Sequence, residues 1–207
     1  MSSLREQLQQ LHPRRVLPSP TEAESARAVE RLGRPLPQQL RDVLSVTAGL
    51  DLNFALSLCG GAGGQDLSEL CPHKLQIAED GFGNGWILDC DAPPSDECRV
   101  LFACHDPPIL MAHNGSITEF VQFVVDVEKG RAVDQLDDQL NKFLEGPGTI
   151  VEGGRTRTIK PRERATIDLT RAKAGDGFWW SGEESDFAAK RIGSRPVFEV
   201  WRDGAWN

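Results

Sequence analysis

The chain is poor in the patterns that name a chemistry. It has no Cys-x-x-Cys, no Gly-x-Ser-x-Gly, no His-Glu-x-x-His and no spacing of paired catalytic carboxylates, so the usual hydrolase and zinc signatures are missing. No run approaches the roughly 18 apolar residues of a membrane span. The opening stretch, Met1-Ser2-Ser3-Leu4-Arg5-Glu6-Gln7, lacks an apolar core of signal-peptide length. No membrane association and a cytoplasmic location are the expectations. Excess positive charge is also missing. A formal net charge of −8 argues against general nucleic-acid binding, which needs a basic footprint. The five cysteines (59, 71, 90, 98 and 104) are odd in number, which predicts reduced, partly buried thiols rather than a disulfide framework. Cys71-Pro72-His73 and Cys104-His105 match no usual zinc spacing, and neighbours in a strand point to opposite faces. No metal and no cofactor are expected.

What is present suffices for a core. The chain has 207 residues, 39% of them hydrophobic and 26% charged, enough for one large domain or a domain with an appendage. Its most organised stretch runs from Ile77 to Asp89. There Gly81 and Gly83-Asn84-Gly85 supply a tight turn, and Trp86-Ile87-Leu88 a buried strand closed by Asp89 and Asp91.

Residues 1–18 are polar, with Leu4, Leu8 and Leu11 on one side of a short helix ending before Pro13. Ser19 as N-cap, Pro20 and Glu22 predict a helix with Ala26, Val29 and Leu32 on one side, stopped by Gly33. A second helix carries Leu40, Val43, Leu44 and Thr47. The period then changes to strands at 52–58, 86–88, 100–104 and 109–112. The loop Gly60-Gly61-Ala62-Gly63-Gly64 fits neither the dinucleotide nor the Walker pattern and reads as a surface loop. Pro93 to Glu97 makes a turn. Ser116 caps a helix with Phe120, Phe123, Val124 and Val127 on one face, and another carries Val133, Leu136, Leu140, Phe143 and Leu144. Helices, strands, then helices predict an α+β fold with a mainly antiparallel sheet over 19–146. Residues 147–207 predict a β-rich extension packed on that domain, with a strand at 165–169, Trp179-Trp180 in a loop, helical turns at 186–191 and a hairpin at 197–206. Residues 1–145 carry a formal −10 and residues 146–207 a formal +2.

Glu30-Arg31-Leu32-Gly33-Arg34-Pro35-Leu36-Pro37, Asp80 to Asp89, Val100 to Asp106 and Glu119 to Phe123 come in the order and spacing of a known family. Over about residues 20–145 the chain resembles the SUKH superfamily, the Smi/Knr-like proteins. Ala48-Gly49 departs from it where a polar residue usually precedes the glycine. The resemblance implies an α+β fold without an established active site. It also implies a binding role: an immunity protein that neutralises a cognate toxin domain, or a regulator of cell-wall synthesis or signalling.

An acidic surface agrees independently with a basic partner such as a nuclease-type toxin. Asp80, Trp86, Asp89, Asp91 and Asp106, near the turns that flank the sheet, are the candidate partner-binding residues. An enzyme would have to draw on His73, His105-Asp106, His113 and the cysteines, which form no known catalytic spacing, so no catalytic residue is expected. A third reading is a regulatory scaffold whose basic extension, from Arg155 to Lys173, contacts a partner or the acidic main domain itself.

Overall fold

A computed structural model describes Glu6 and residues 16–51, 55–57, 67–91, 98–180 and 186–203. The expected helix of Leu4, Leu8 and Leu11, the glycine loop at 60–64, the turn at 93–97 and the Asp203-Gly204 turn fall wholly or partly outside these residues.

The architecture is α+β, and every strand pair is antiparallel. Of the elements whose bounds are described, helices α1 (Glu22–Leu32) and α2 (Gln38–Leu44) come first. Six strands follow: β1 (Gly49–Asp51), β2 (Ala55–Ser57), β3 (Lys74–Glu79), β4 (Gly85–Asp89), β5 (Arg99–His105) and β6 (Pro108–Asn114). Next come helices α3 (Ile117–Glu128) and α4 (Leu136–Asn141). The chain ends in β7 (Thr149–Glu152), β8 (Arg155–Thr158), β9 (Arg164–Asp168), β10 (Gly177–Trp179), β11 (Phe187–Arg191) and β12 (Val197–Arg202). Nine strands form one sheet in the order β1-β2-β3-β4-β5-β6-β10-β7-β8, and β11-β12-β9 form a second.

Side chains alternate across a strand, and here both faces of the large sheet are covered. On β4, Trp86 and Leu88 enter a core beneath the helices with Leu32, Leu40, Phe102 and Phe120. Ile87, between them, points the other way into a second core with Leu101, Leu110, Phe178 and Phe198. Phe198 comes from the small sheet, which therefore roofs the face opposite the helices. Burial on both faces is why β4, β5 and β6 are nearly unbroken apolar runs although their pairing is antiparallel.

Several local expectations shift. The capping box of α1 uses Thr21 and Glu24, two residues later than expected: Thr21 Oγ1 accepts from Glu24 N at 3.3 Å, and Glu24 Oε2 accepts from Thr21 N at 2.7 Å. Ser19 is committed elsewhere, its hydroxyl donating to the Ser45 carbonyl. The inward face is Ala28 and Leu32, while Val29 lines an open groove of about 580 Å³ between α1 and α2. Of the expected strand at 52–58, residues 52–54 and 58 lie outside the described residues, and 55–57 form β2, paired antiparallel with β1. Leu40, Val43, Leu44 and Thr47 are buried as expected. In α3 the buried stripe is Ile117, Phe120, Val121, Val124 and Val125. Val133 and Leu144 are exposed, because α4 is shorter than the apolar spacing suggests.

The extension departs most. Phe178 and Trp179 belong to β10, inserted between β6 and β7, and residues 187–191 are a strand rather than helical turns. Strands β7, β8 and β10 thus lie in the same sheet as β1–β6. At Gly177 a Cβ would lie 2.4 Å from the Leu110 carbonyl oxygen and 2.5 Å from Met111 Cβ, so only glycine lets β10 close on β6.

Candidate interaction site

The turn between β3 and β4 is held by one carboxylate. Asp80 Oδ1 accepts from the amides of Phe82 (2.8 Å) and Asn84 (3.2 Å), and Oδ2 accepts from Asn84 Nδ2 at 2.7 Å. Gly81 and Gly83 take positive φ, 77° and 92°, which the turn requires. Asn84 then ties this turn to the next one. Its Oδ1 accepts from the His105 amide at 3.1 Å and from His105 Nδ1 at 3.0 Å. The His105 ring lies so close to Gly83 that a Cβ there would sit 3.1 Å from it.

The β3–β4 and β5–β6 turns therefore form one braced surface at one end of the sheet. Phe82 projects from it with 80% of its surface exposed, and His105 and Asp106 are exposed beside it. The extension reaches the same end, where Trp180 N donates to the Pro108 carbonyl at 2.9 Å. Cys104 points inward, and burial raises its thiol above the ordinary range.

The five residues expected to contact a partner divide. Asp80 and Asp106 come together at this end, though the Asp80 carboxylate is occupied by the turn. Trp86 is core: it is 4% exposed and packs edge-on to Phe102, with ring centroids 5.0 Å apart, and against His113 and Phe120. Asp89 and Asp91 lie at the opposite end of β4 and face inward. Arg191 of β11 donates to Asp89 Oδ2 at 3.0 Å, approaches Asp91 Oδ2 at 3.6 Å, and also donates to the carbonyls of Leu70 (3.0 Å) and Ser194 (3.1 Å). Asp91 in turn holds His73 Nδ1 in a close hydrogen bond. Burial raises the Asp89 carboxyl above its ordinary range despite the opposing pull of Arg191. Burial also pushes the Cys71 thiol well up, with the charge of Asp89 adding to it. Their sequence neighbourhood placed these aspartates near turns. Only the fold reveals that both face one cation from far along the chain.

His113 is similarly engaged. His113, 7% exposed, sits among Trp86, Phe120 and Phe123 with Nδ1 2.5 Å from Asn114 Oδ1, and burial lowers its pKa. Many basic residues of the extension pair locally: Lys190 and Arg164 with Glu199 (2.8 and 3.4 Å), Arg157 with Glu163 (2.9 Å) and Arg202 with Asp186 (2.8 Å). Lys190 and Arg164 also flank the Trp201 ring at 5.8 and 5.6 Å.

Sequence reasoning passed over Phe82 and Arg191. The signal for Phe82 was present: a large aromatic inside an Asp-Gly-x-Gly turn has no inward direction available. Among the described residues no helix is long and apolar enough to cross a membrane. Comparison with protein-family models, characterised proteins and solved structures finds no match for the chain.

Proposed function

We propose that this is a non-enzymatic protein-binding module of the cytoplasm, acting as an immunity-type protein that occludes a basic toxin domain. The observation that carries the reading is Phe82. An aromatic side chain 80% exposed on a turn rigidified by Asp80, Asn84 and His105 is a pre-ordered anchor, and an anchor that loses little entropy on binding favours affinity. Asp106 beside it, on a chain of net charge −8, supplies the sign of charge that steers toward a cationic partner. The resemblance of residues 20–145 to the SUKH superfamily gives the toxin-neutralising role its content.

The test combines capture with activity. The tagged protein and a Phe82→Ala/Asp106→Arg variant are used to capture partners from host lysate at low and moderate salt. The wild type is expected to retain one stoichiometric basic partner whose toxicity it suppresses, and the variant to lose both binding and protection while keeping its melting temperature. Equal binding by the variant would reject this surface. Recovery of several signalling or envelope-synthesis proteins instead would favour the regulatory role.

A further inference from the structure

Strands β4 and β5 pair antiparallel with Asp89 opposite Arg99, so Cys90, which follows Asp89, and Cys98, which precedes Arg99, stand across from one another. The Cys90 amide donates to the His73 carbonyl at 3.2 Å, toward β3. In a strand the N–H and C=O of one residue face the same neighbour. Cys90 therefore bonds toward β3, and its pairing with Cys98 is of the non-hydrogen-bonded kind. In such pairs the Cα atoms are about 4.5 Å apart and the side chains closest. That spacing falls inside the range of roughly 4.4–6.8 Å that a disulfide spans. Both thiols are free, 3% and 5% exposed, and lie in the same apolar cluster in hydrogen-bonding contact. The Cys98 thiol, and then burial, push the Cys90 thiol far above its ordinary range, so Cys90 is a protonated, slowly reacting thiol at rest.

The pair sits at a junction. The Cys90 carbonyl accepts from the Arg34 guanidinium, which comes from the link between α1 and α2. The residues on either side of Cys90 are Asp89 and Asp91, the partners of Arg191 from the small sheet. We propose that Cys90 and Cys98 are a redox switch, oxidised by hydrogen peroxide to a cross-strand disulfide that fastens this end of β4 and β5 where helices and small sheet meet. One sulfur attacks the peroxide O–O bond, becoming a sulfenic acid and releasing a first water. The second sulfur then displaces the sulfenic hydroxyl, which leaves as a second water. The two thiols lose two protons and two electrons in forming the S–S bond, and the peroxide is reduced to two waters.

The full-length protein is treated with hydrogen peroxide, quenched, unfolded, alkylated with N-ethylmaleimide and mapped by peptide mass spectrometry. The expected product joins the peptides of Cys90 and Cys98, lighter by two hydrogens, with Cys71 and Cys104 still alkylated. Its unfolding midpoint lies above that of the reduced protein and returns with dithiothreitol. Cys98→Ser shows no midpoint rise; should that variant not fold, the wild-type mapping decides alone. Alkylation of both Cys90 and Cys98 after oxidation, their conversion to sulfinic or sulfonic acids, or pairing of either with another cysteine overturns the proposal. A mapped disulfide with no change in midpoint overturns its fastening role.

Discussion

Arg191→Ala is the sharpest test of how the two halves of the chain are joined. The Arg191 side chain is 5% exposed and that of Asp89 is 2% exposed, so the pair has almost no solvent to fall back on. Truncating the cation leaves Asp89 and Asp91 buried without their charge partner and frees the carbonyls of Leu70 and Ser194. Breaking one side of a buried ion pair costs about 3–5 kcal/mol. For a chain of this length that corresponds to a fall of roughly 6–20 °C in melting temperature. Urea titration and calorimetry at pH 7 measure it directly.

The same variant carries a pH signature. Burial already holds the Asp89 carboxyl above its ordinary range, and removing Arg191 takes away the main force opposing that rise. A folded-state pKa raised above the unfolded value means that the folded protein gains protons first as the solution is acidified. The cost of the variant is therefore full above the raised value and shrinks as pH falls through it. Pairing Arg191→Met with Asp89→Asn removes the Asp89 charge, while Asp91 keeps its bond to His73, and is expected to recover part of the loss. A loss below about 1 kcal/mol in Arg191→Ala, or a loss that grows on acidification, would refute the reasoning.

Other outcomes follow from the packing. Gly177→Ala forces a methyl group to within 2.4 Å of the Leu110 carbonyl oxygen, so β10 must part from β6; a loss of about 3 kcal/mol or more, with a shift in tryptophan fluorescence, is expected. The depressed pKa of His113 means that the unfolded chain takes up this proton first. Stability is therefore complete above about pH 6.5 and falls as the pH drops toward the folded-state value. His113→Phe should remove that part of the slope, read as the difference between two pH–stability profiles. Phe198→Ala opens a cavity in the core between the sheets and is expected to cost about 3–5 kcal/mol, read by urea titration.

Legibility followed the range of the interaction. The strands at 100–104 and 109–112 match the structure because their apolar period and turn residues are local. Helix α2 keeps its buried Leu40, Val43 and Leu44 but stops at Leu44, short of Thr47 and of the expected end at Ala48-Gly49. The start of α1 was misplaced because Ser19-x-x-Glu22 and Thr21-x-x-Glu24 offer the same capping spacing. A contact with Ser45, distant in sequence, takes Ser19 out of the choice. Residues 187–191 contain Ala-Ala-Lys-Arg, which has good helix propensity, yet pairing with β12 makes them a strand. Within the candidate site, the Asp80 turn was legible and its attachment to His105 was not, since that bond joins two turns across the sheet.

The role of the extension was written in the main domain rather than in the extension itself. An antiparallel strand with one wet face alternates polar and apolar residues, whereas Trp86-Ile87-Leu88, Val100 to Cys104 and Ile109 to Ala112 do not alternate. Helices α1, α2 and α3 cover only one side of such a sheet, so Ile87, Leu101, Ala103, Leu110 and Ala112 need a second cover, and Phe178, Ile167, Phe198 and Val200 provide it. The buried Arg191–Asp89 pair fixes that cover in place where apolar contact alone would tolerate sliding. Counting the unbroken runs identifies the need for a roof; finding which later residues build it requires the fold.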